Sequence, residues 1–274
     1  MSPSPVHIAF IGGGNMASAI IGGLLRQGLQ PTQITVIEPF SETAAKLMQD
    51  YGITALTSAG STLAMADLVV WAVKPQVFLE AAIPVTPHTQ GALHLSVAAG
   101  IRTDSICRWT HSERVVRCMP NTPALIGQGV TGLFACPSVT SQDKSLVEQV
   151  IGTTGQHLWV QQESQLDAVT ALSGSGPAYV FYFLEAMTQA GVGMGLSAEQ
   201  AYKLAVATFS GASSLAAAST ESPEVLRQRV TSKGGTTYAA ITSLDDSGVK
   251  ASFVKAMQAA EVRARELGDE FGKA

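Results

Sequence analysis

The stretch Val6-His7-Ile8-Ala9-Phe10-Ile11-Gly12-Gly13-Gly14-Asn15-Met16-Ala17 decides the fold. An apolar run suited to a buried strand feeds a glycine turn, which opens a helical pattern reaching Arg26. The spacing Gly12-x-Gly14-x-x-Ala17 is the dinucleotide fingerprint with alanine in the third place. In it the first glycine permits the tight turn, the second lets backbone approach a pyrophosphate, and the small third residue packs helix on strand. Unpaired N–H groups and the positive end of the helix dipole then face the phosphates. A glycine loop without a ligand shares this pattern by chance. Here the strand before it, the helix after it and an acid at Glu38, roughly 20 residues on, all fit a dinucleotide site.

Of the 274 residues 46% are apolar and 14% charged, the proportions of a compact globular protein of one large or two modest domains. A net charge of −4 without a basic run argues against nucleic acid and anionic membranes as partners. Cys107, Cys118 and Cys136 have no metal-ligand spacing, and so sparse a set reads as reduced, packed thiols of a cytoplasmic protein. His7, His88, His94, His111 and His157 are scattered, so no metal is expected. Met1 to Pro5 is too short for a signal peptide, and no apolar stretch reaches the roughly 18 uncharged residues of a membrane span.

Working outward from the opening motif, Gln33-Ile34-Thr35-Val36-Ile37-Glu38 reads as a second strand. Glu38 stands where an acid accepts hydrogen bonds from the adenosine ribose hydroxyls, and there it would repel a 2′-phosphate and favour NADH over NADPH. Its plainer alternative is a turn carboxylate before Pro39. Leu68 to Val73 is a near-continuous apolar run of the parallel-strand kind, ending in Lys74-Pro75. Leu93 to Val97 leads into Ala98-Ala99-Gly100, and Val115 to Cys118 into Met119-Pro120-Asn121-Thr122-Pro123, a rigid turn read either as structural or as a wall for the nicotinamide. A last strand pair, Gly129 to Ala135 and His157 to Val160, brackets a helix starting near Ser141. Residues 1–162 therefore predict an α/β, Rossmann-type doubly wound sheet, with the loops at Gly12, Glu38, Lys74 and Ala98 converging on one crevice.

From Glu163 onward strand-like runs disappear, and residues 163–274 read as an all-α domain. Ser197-Ala198-Glu199-Gln200 is a capping box, Ser222-Pro223 opens a helix, and Thr231-Ser232-Lys233-Gly234-Gly235-Thr236-Thr237 is a second glycine turn opening another. So small a helical domain, rich in Gly, Ala and Ser, is expected to complete its core against a second copy as a homodimer. P-loop lysine, Gly-x-Ser-x-Gly and paired-carboxylate patterns are missing, which argues against phosphoryl transfer and hydrolysis. Gly234 to Thr237 can bind an anion through N–H groups, most sensibly a substrate carboxylate, the alternative being a capped turn between helices. A nicotinamide domain with a carboxylate turn and no strong acid or base suits reduction of a protonated C=N.

Together these motifs resemble the pyrroline-5-carboxylate reductase family. The matching pieces are Phe10 to Met16, Ala72-Val73-Lys74-Pro75, Met119 to Pro123, Leu172-Ser173-Gly174-Ser175-Gly176-Pro177-Ala178-Tyr179 and Gly234 to Thr237, in the family's order across nearly the whole chain. The resemblance implies reduction of 1-pyrroline-5-carboxylate to L-proline with NADPH or NADH. It implies that Ile11, Gly12, Gly13, Gly14, Asn15 and Met16 hold the pyrophosphate and that Glu38 meets the ribose. Val73, Lys74, Pro75, Val97, Ala98, Ala99 and Asn121 would line the path to the nicotinamide. Substrate would be bound by Ser232, Gly234, Gly235, Thr236, Thr237 and Glu163, with Thr237 as the catalytic donor to the ring nitrogen. A homodimer, or a larger ring of dimers, is implied as well. Two positions depart from the family's habit: Lys233 replaces the usual proline before Gly-Gly, and Glu38 replaces a small or polar residue. A two-domain hydroxyacid dehydrogenase shares the entry motif but would want a lysine between Ser173 and Ala190, where there is none. A non-catalytic nucleotide sensor would have no use for the second turn.

Overall fold

The computed structural model describes residues 6–272, so the reading of Met1 to Pro5 lies outside the described residues. The first half alternates strand and helix: β1 (Ile8–Ile11), α1 (Asn15–Arg26), β2 (Ile34–Ile37), α2 (Ser41–Tyr51), β3 (Leu68–Trp71), α3 (Phe78–Val85), β4 (Leu93–Ser96), α4 (Thr103–Thr110) and β5 (Val115–Met119). Then come β6 (Gly129–Ala135), α5 (Ser141–Gly152), β7 (Gly155–Trp159) and the short α6 (Gln165–Val169). The strands form one seven-stranded sheet in the order β2-β1-β3-β4-β5-β6-β7. From β2 to β5 all neighbours are parallel. The chain steps from β1 out to β2, then back past β1 to β3, so strand order reverses at the β1/β3 boundary, where doubly wound sheets bind their ligands.

β6 runs antiparallel to β5 and parallel to β7, which makes the sheet mixed. The reason is chain length: a parallel partner needs a crossover of a dozen or more residues, and the turn from Pro120 to Gln128 is shorter than that. The last strand begins at Gly155, two residues before the expected His157. Gly155 has φ of +137°, and a Cβ there would run into the Gly129 backbone. Side chains alternate across the sheet. Ile8 and Phe10 join Ile20, Ile21, Leu47 and Val147 on one face, while Ala9 and Ile11 join Trp71, Phe78, Ile106 and Trp109 on the other.

The second half is helical: α7 (Gly176–Gly193), α8 (Ala198–Ala217), α9 (Pro223–Arg229), α10 (Thr236–Asp246) and α11 (Val249–Phe271). Ser197 caps α8 by accepting from the Gln200 N–H at 3.2 Å, and Ser222 caps α9. Contacts divide the chain into two compact units, Met1–Ser175 with Ala260–Ala274, and Gly176–Ala259. That division falls at Ser175, beyond Glu163 where strand-like runs end. Packing gives the reason: Leu166 is fully buried, and a Cβ on Gly132 of β6 would meet Val169 at 2.8 Å, so α6 belongs to the sheet. The last turns of α11 also belong there, through Arg102–Asp269 at 2.7 Å.

Within Gly176–Ala259, helix contact is close where a Cβ on Gly191 would meet Ala201 Cβ at 2.7 Å. The residues buried there are few, Leu184, Gly191, Ala201 and Ala205, while Phe181, Tyr182, Tyr202, Leu204 and Leu215 are each more than half exposed. An apolar surface of this kind marks an interaction face. Among the described residues no helix is long and apolar enough to cross a membrane.

One buried group makes the sheet sensitive to pH. His94 on β4 is fully buried, and its Nδ1 accepts from Trp71 Nε1 at 3.1 Å. Burial pushes its pKa down to about 4. Between about 6.5 and that value the unfolded chain takes up a proton that the folded chain refuses, so stability present at neutral pH is lost as pH falls. Thermal unfolding should show a loss approaching about 3 kcal/mol from this group below pH 4. His94→Gln, which keeps an acceptor for Trp71, should show a clearly smaller fall in Tm between pH 7 and 4.5; parallel wild-type and variant curves would refute the assignment.

Candidate active site

The site begins where three strand ends meet. Gly12 N–H donates to the Ile37 carbonyl at 2.9 Å, and Ala72 N–H to the Ile11 carbonyl at 2.8 Å, drawing the ends of β1, β2 and β3 together. A side chain fails at Gly12 on two counts: φ is +93°, and a Cβ would lie 2.6 Å from the Ala72 carbonyl oxygen. Gly14 is the opposite case. It is exposed, nothing lies within 4 Å of a Cβ built on it, and it brings no capping side chain to α1, whose first turn carries no acid. Ala17 is fully buried beneath, the small contact that seats the helix on the sheet. The N–H groups at the start of α1, around Asn15 and Met16, are thus open on the side from which a pyrophosphate would approach, and the loop fits such a group.

Glu38 closes the turn from the β2 side. It is only 5% exposed; one carboxylate oxygen accepts from Gly13 N–H and the other from Phe40 N–H, both at 2.9 Å. An ionised carboxylate has about four acceptor positions, so room remains for ribose hydroxyls. Val73, Lys74 and Pro75 follow β3, with Lys74 exposed; Val97, Ala98 and Ala99 follow β4, with Val97 N–H donating to the Trp71 carbonyl at 3.1 Å. The structure therefore gathers Ile11 to Met16, Glu38, Val73 to Pro75 and Val97 to Ala99 at the carboxyl ends of adjacent parallel strands.

Asn121 and Glu163 carry structural bonds. Asn121 Oδ1 accepts from Val130 N–H at 2.9 Å and its Nδ2 donates to the Ser173 carbonyl at 3.2 Å, pinning the turn after β5. Glu163 Oε1 accepts from Thr103 N–H at 2.8 Å and Arg117 Nη1 at 2.9 Å, and Oε2 from the Thr103 hydroxyl at 2.6 Å. Arg117 and Thr103 were not singled out from the sequence. The signal was there in Val115-Val116-Arg117-Cys118, since a cation inside an apolar strand must find a buried anion.

In the second unit Ser232, Gly234 and Thr236 are exposed and Thr237 is partly so. Gly234 has φ of +72°, Gly235 N–H donates to the Ser232 carbonyl at 3.0 Å, and a Cβ on Gly235 would lie 2.6 Å from Ser232 Oγ. Gly235 caps α10 without a side chain, leaving the N–H groups of its first turn for another acceptor. Lys233 beside them is exposed.

Comparison with known proteins bears directly on this arrangement. A family model described as pyrroline-5-carboxylate reductase dimerisation matches residues 163–267, and one described as NADP oxidoreductase, coenzyme F420-dependent, matches residues 7–100. A pyrroline-5-carboxylate reductase of Pseudomonas aeruginosa is 43% identical over 98% of this chain and the whole of its own. The chain belongs to the pyrroline-5-carboxylate reductase family. The Coxiella burnetii member superposes with a TM-score of 0.89 at 37% identity, covering 96% of this chain and 99% of its own. A Plasmodium falciparum member, solved with NADP bound, gives a TM-score of 0.86 at 27% identity, covering 96% of this chain and 98% of its own. The matched dimerisation segment of this reductase family holds the exposed apolar helices described above. It has no lysine in α7, which sets the chain apart from the hydroxyacid dehydrogenase reading.

The Arg117–Glu163 pair lends itself to measurement. With Arg117 almost fully buried, Glu163→Ala should cost about 3 kcal/mol in urea unfolding, because it strands a desolvated cation. Adding Arg117→Met to that variant should recover part of the loss, whereas additive losses would show that the two side chains act independently.

Proposed function

We infer that this chain reduces 1-pyrroline-5-carboxylate to L-proline with a pyridine nucleotide. The observation that carries this reading is the full-length match to a pyrroline-5-carboxylate reductase, 43% identical over 98% of the chain. The residues assigned to cofactor are Ile11, Gly12, Gly13, Gly14, Asn15, Met16, Glu38, Val73, Lys74, Pro75, Val97, Ala98, Ala99 and Asn121. The bound dihydronicotinamide supplies hydride to the C=N carbon. The N–H groups of Gly234, Gly235 and Thr236, with Ser232 beside them, hold the substrate carboxylate; Lys233 adds positive charge nearby. Thr237 donates a hydrogen bond to the ring nitrogen, orienting the ring and stabilising the amine as it forms. Glu163 acts on the substrate side of the site, anchored by Arg117 and Thr103.

The finer readings rest on particular residues. Glu38, buried at the end of β2, disfavours a 2′-phosphate by charge and desolvation, and so selects NADH. Residues 163–274 serve as the substrate-binding and dimerisation part, and the scarcity of buried apolar residues in Gly176–Ala259 supports a homodimer or a ring of dimers. The sparse, free cysteines suit the cytoplasm.

Oxidation of NADH on addition of 1-pyrroline-5-carboxylate, with proline as product, tests the activity. Thr237→Ala should lower kcat/KM by about 30- to 1,000-fold, the effect of losing one positioned donor in the transition state. Wild-type rates in that variant would remove Thr237 from the mechanism. The ratio of kcat/KM for NADH over NADPH should exceed one and should fall in Glu38→Ser; a wild-type preference for NADPH would sink the Glu38 argument.

A further inference from the structure

We propose that Cys107 and Cys136 form a two-thiol site that reacts with hydroperoxides and closes into an intrachain disulfide. The two cysteines lie far apart in sequence, one on α4 and the other just after β6, yet their sulfurs are 3.9 Å apart. Both are free and half-buried, so a small oxidant can reach them while the fold holds them in register. Their backbones are fixed independently: Cys107 lies inside α4, and Cys136 N–H donates to the Val115 carbonyl at 3.0 Å. A disulfide needs about 2.05 Å between sulfurs, so closure asks each sulfur to move roughly 1 Å, within reach of side-chain rotation. Val115 starts β5, so the pair sits at the amino ends of the parallel strands, opposite the edge that bears Gly12 and Glu38.

The two thiols are unequal. Cys136 is pulled down mainly by its contact with Cys107, against its burial and against Glu163 and Glu113. Cys107 is pushed up by that same contact, by burial and by the same two acids. Cys136 is taken as the nucleophile and Cys107 as the resolving thiol; the reverse order closes the same disulfide across the same contact. The Cys136 thiolate attacks the terminal peroxide oxygen, the O–O bond breaks, and an alcohol or water leaves as Cys136 becomes a sulfenic acid. Cys107 sulfur then attacks the Cys136 sulfur and water departs, so two thiols lose two electrons to one hydroperoxide. The third cysteine is a built-in control: Cys118 is fully buried, donates to the Ser96 carbonyl at 3.2 Å, and is pushed up by burial.

The test uses the full-length protein, reduced with dithiothreitol, freed of it and titrated with hydrogen peroxide. After alkylation and non-reducing digestion, mass spectrometry should find a peptide linking Cys107 to Cys136 that disappears when dithiothreitol is restored. Cys118→Ser should leave its yield unchanged. Cys107→Ser should halt at a Cys136 sulfenic acid that dimedone traps, and Cys136→Ser should abolish both products. Failure to find the linked peptide, a link between two chains, or Cys118 as the oxidised residue would each overturn the proposal. The peptide result does not depend on the reductase assay, so failure of either leaves the other standing.

Discussion

Gly12 occupies the point where the carboxyl ends of β1, β2 and β3 are tied by backbone hydrogen bonds, and both its positive φ and its distance from Ala72 forbid a side chain. Everything in the nucleotide half depends on this closeness. With the strand ends drawn in, α1 leaves the sheet at an angle that buries Ala17 and leaves Gly14 open. The switch in strand order between β1 and β3 places the crevice beside the same residue. Glu38 joins the arrangement by accepting from Gly13 N–H, and so braces the glycine turn.

A second constraint is the burial of Arg117. Removing a guanidinium from water is costly, and Glu163 offsets this only because Thr103 satisfies its oxygens through a backbone N–H and a hydroxyl. The pair fixes the start of the segment that leads through α6 and the π-helical stretch Thr170–Gly174, where Asn121 also reaches the Ser173 carbonyl. In Gly176–Ala259 the limiting quantity is apolar burial. Helices capped by Ser197 and Ser222 form locally, but their aromatic and aliphatic side chains stay exposed in a single chain, as expected of a segment that dimerises.

Much of this was legible in the sequence because it depends on local rules. Period-2 and near-continuous apolar runs marked β1 to β5, and glycine and serine placed the caps. The fingerprint spacing located the glycine loop between β1 and α1, and Gly234 to Thr237 the second turn. The mixed sheet was not read, because strand direction at β6 follows from the length of the turn before it, which no periodicity reports. The packing of α6 on β6 was not read, because loss of strand pattern after Glu163 does not reveal it.

The sequence by itself determined the main element types, the glycine loop after β1 and the family, since each is set by residue spacing along a few turns of chain. Only the tertiary structure decided the partners of buried polar groups: Glu38 with Gly13 N–H, Arg117 with Glu163, Trp71 with His94, and Cys107 beside Cys136. Each pairs residues from different strands, helices or turns. Desolvation forces a buried polar group to find a partner, but only the packed fold determines which one lies within reach.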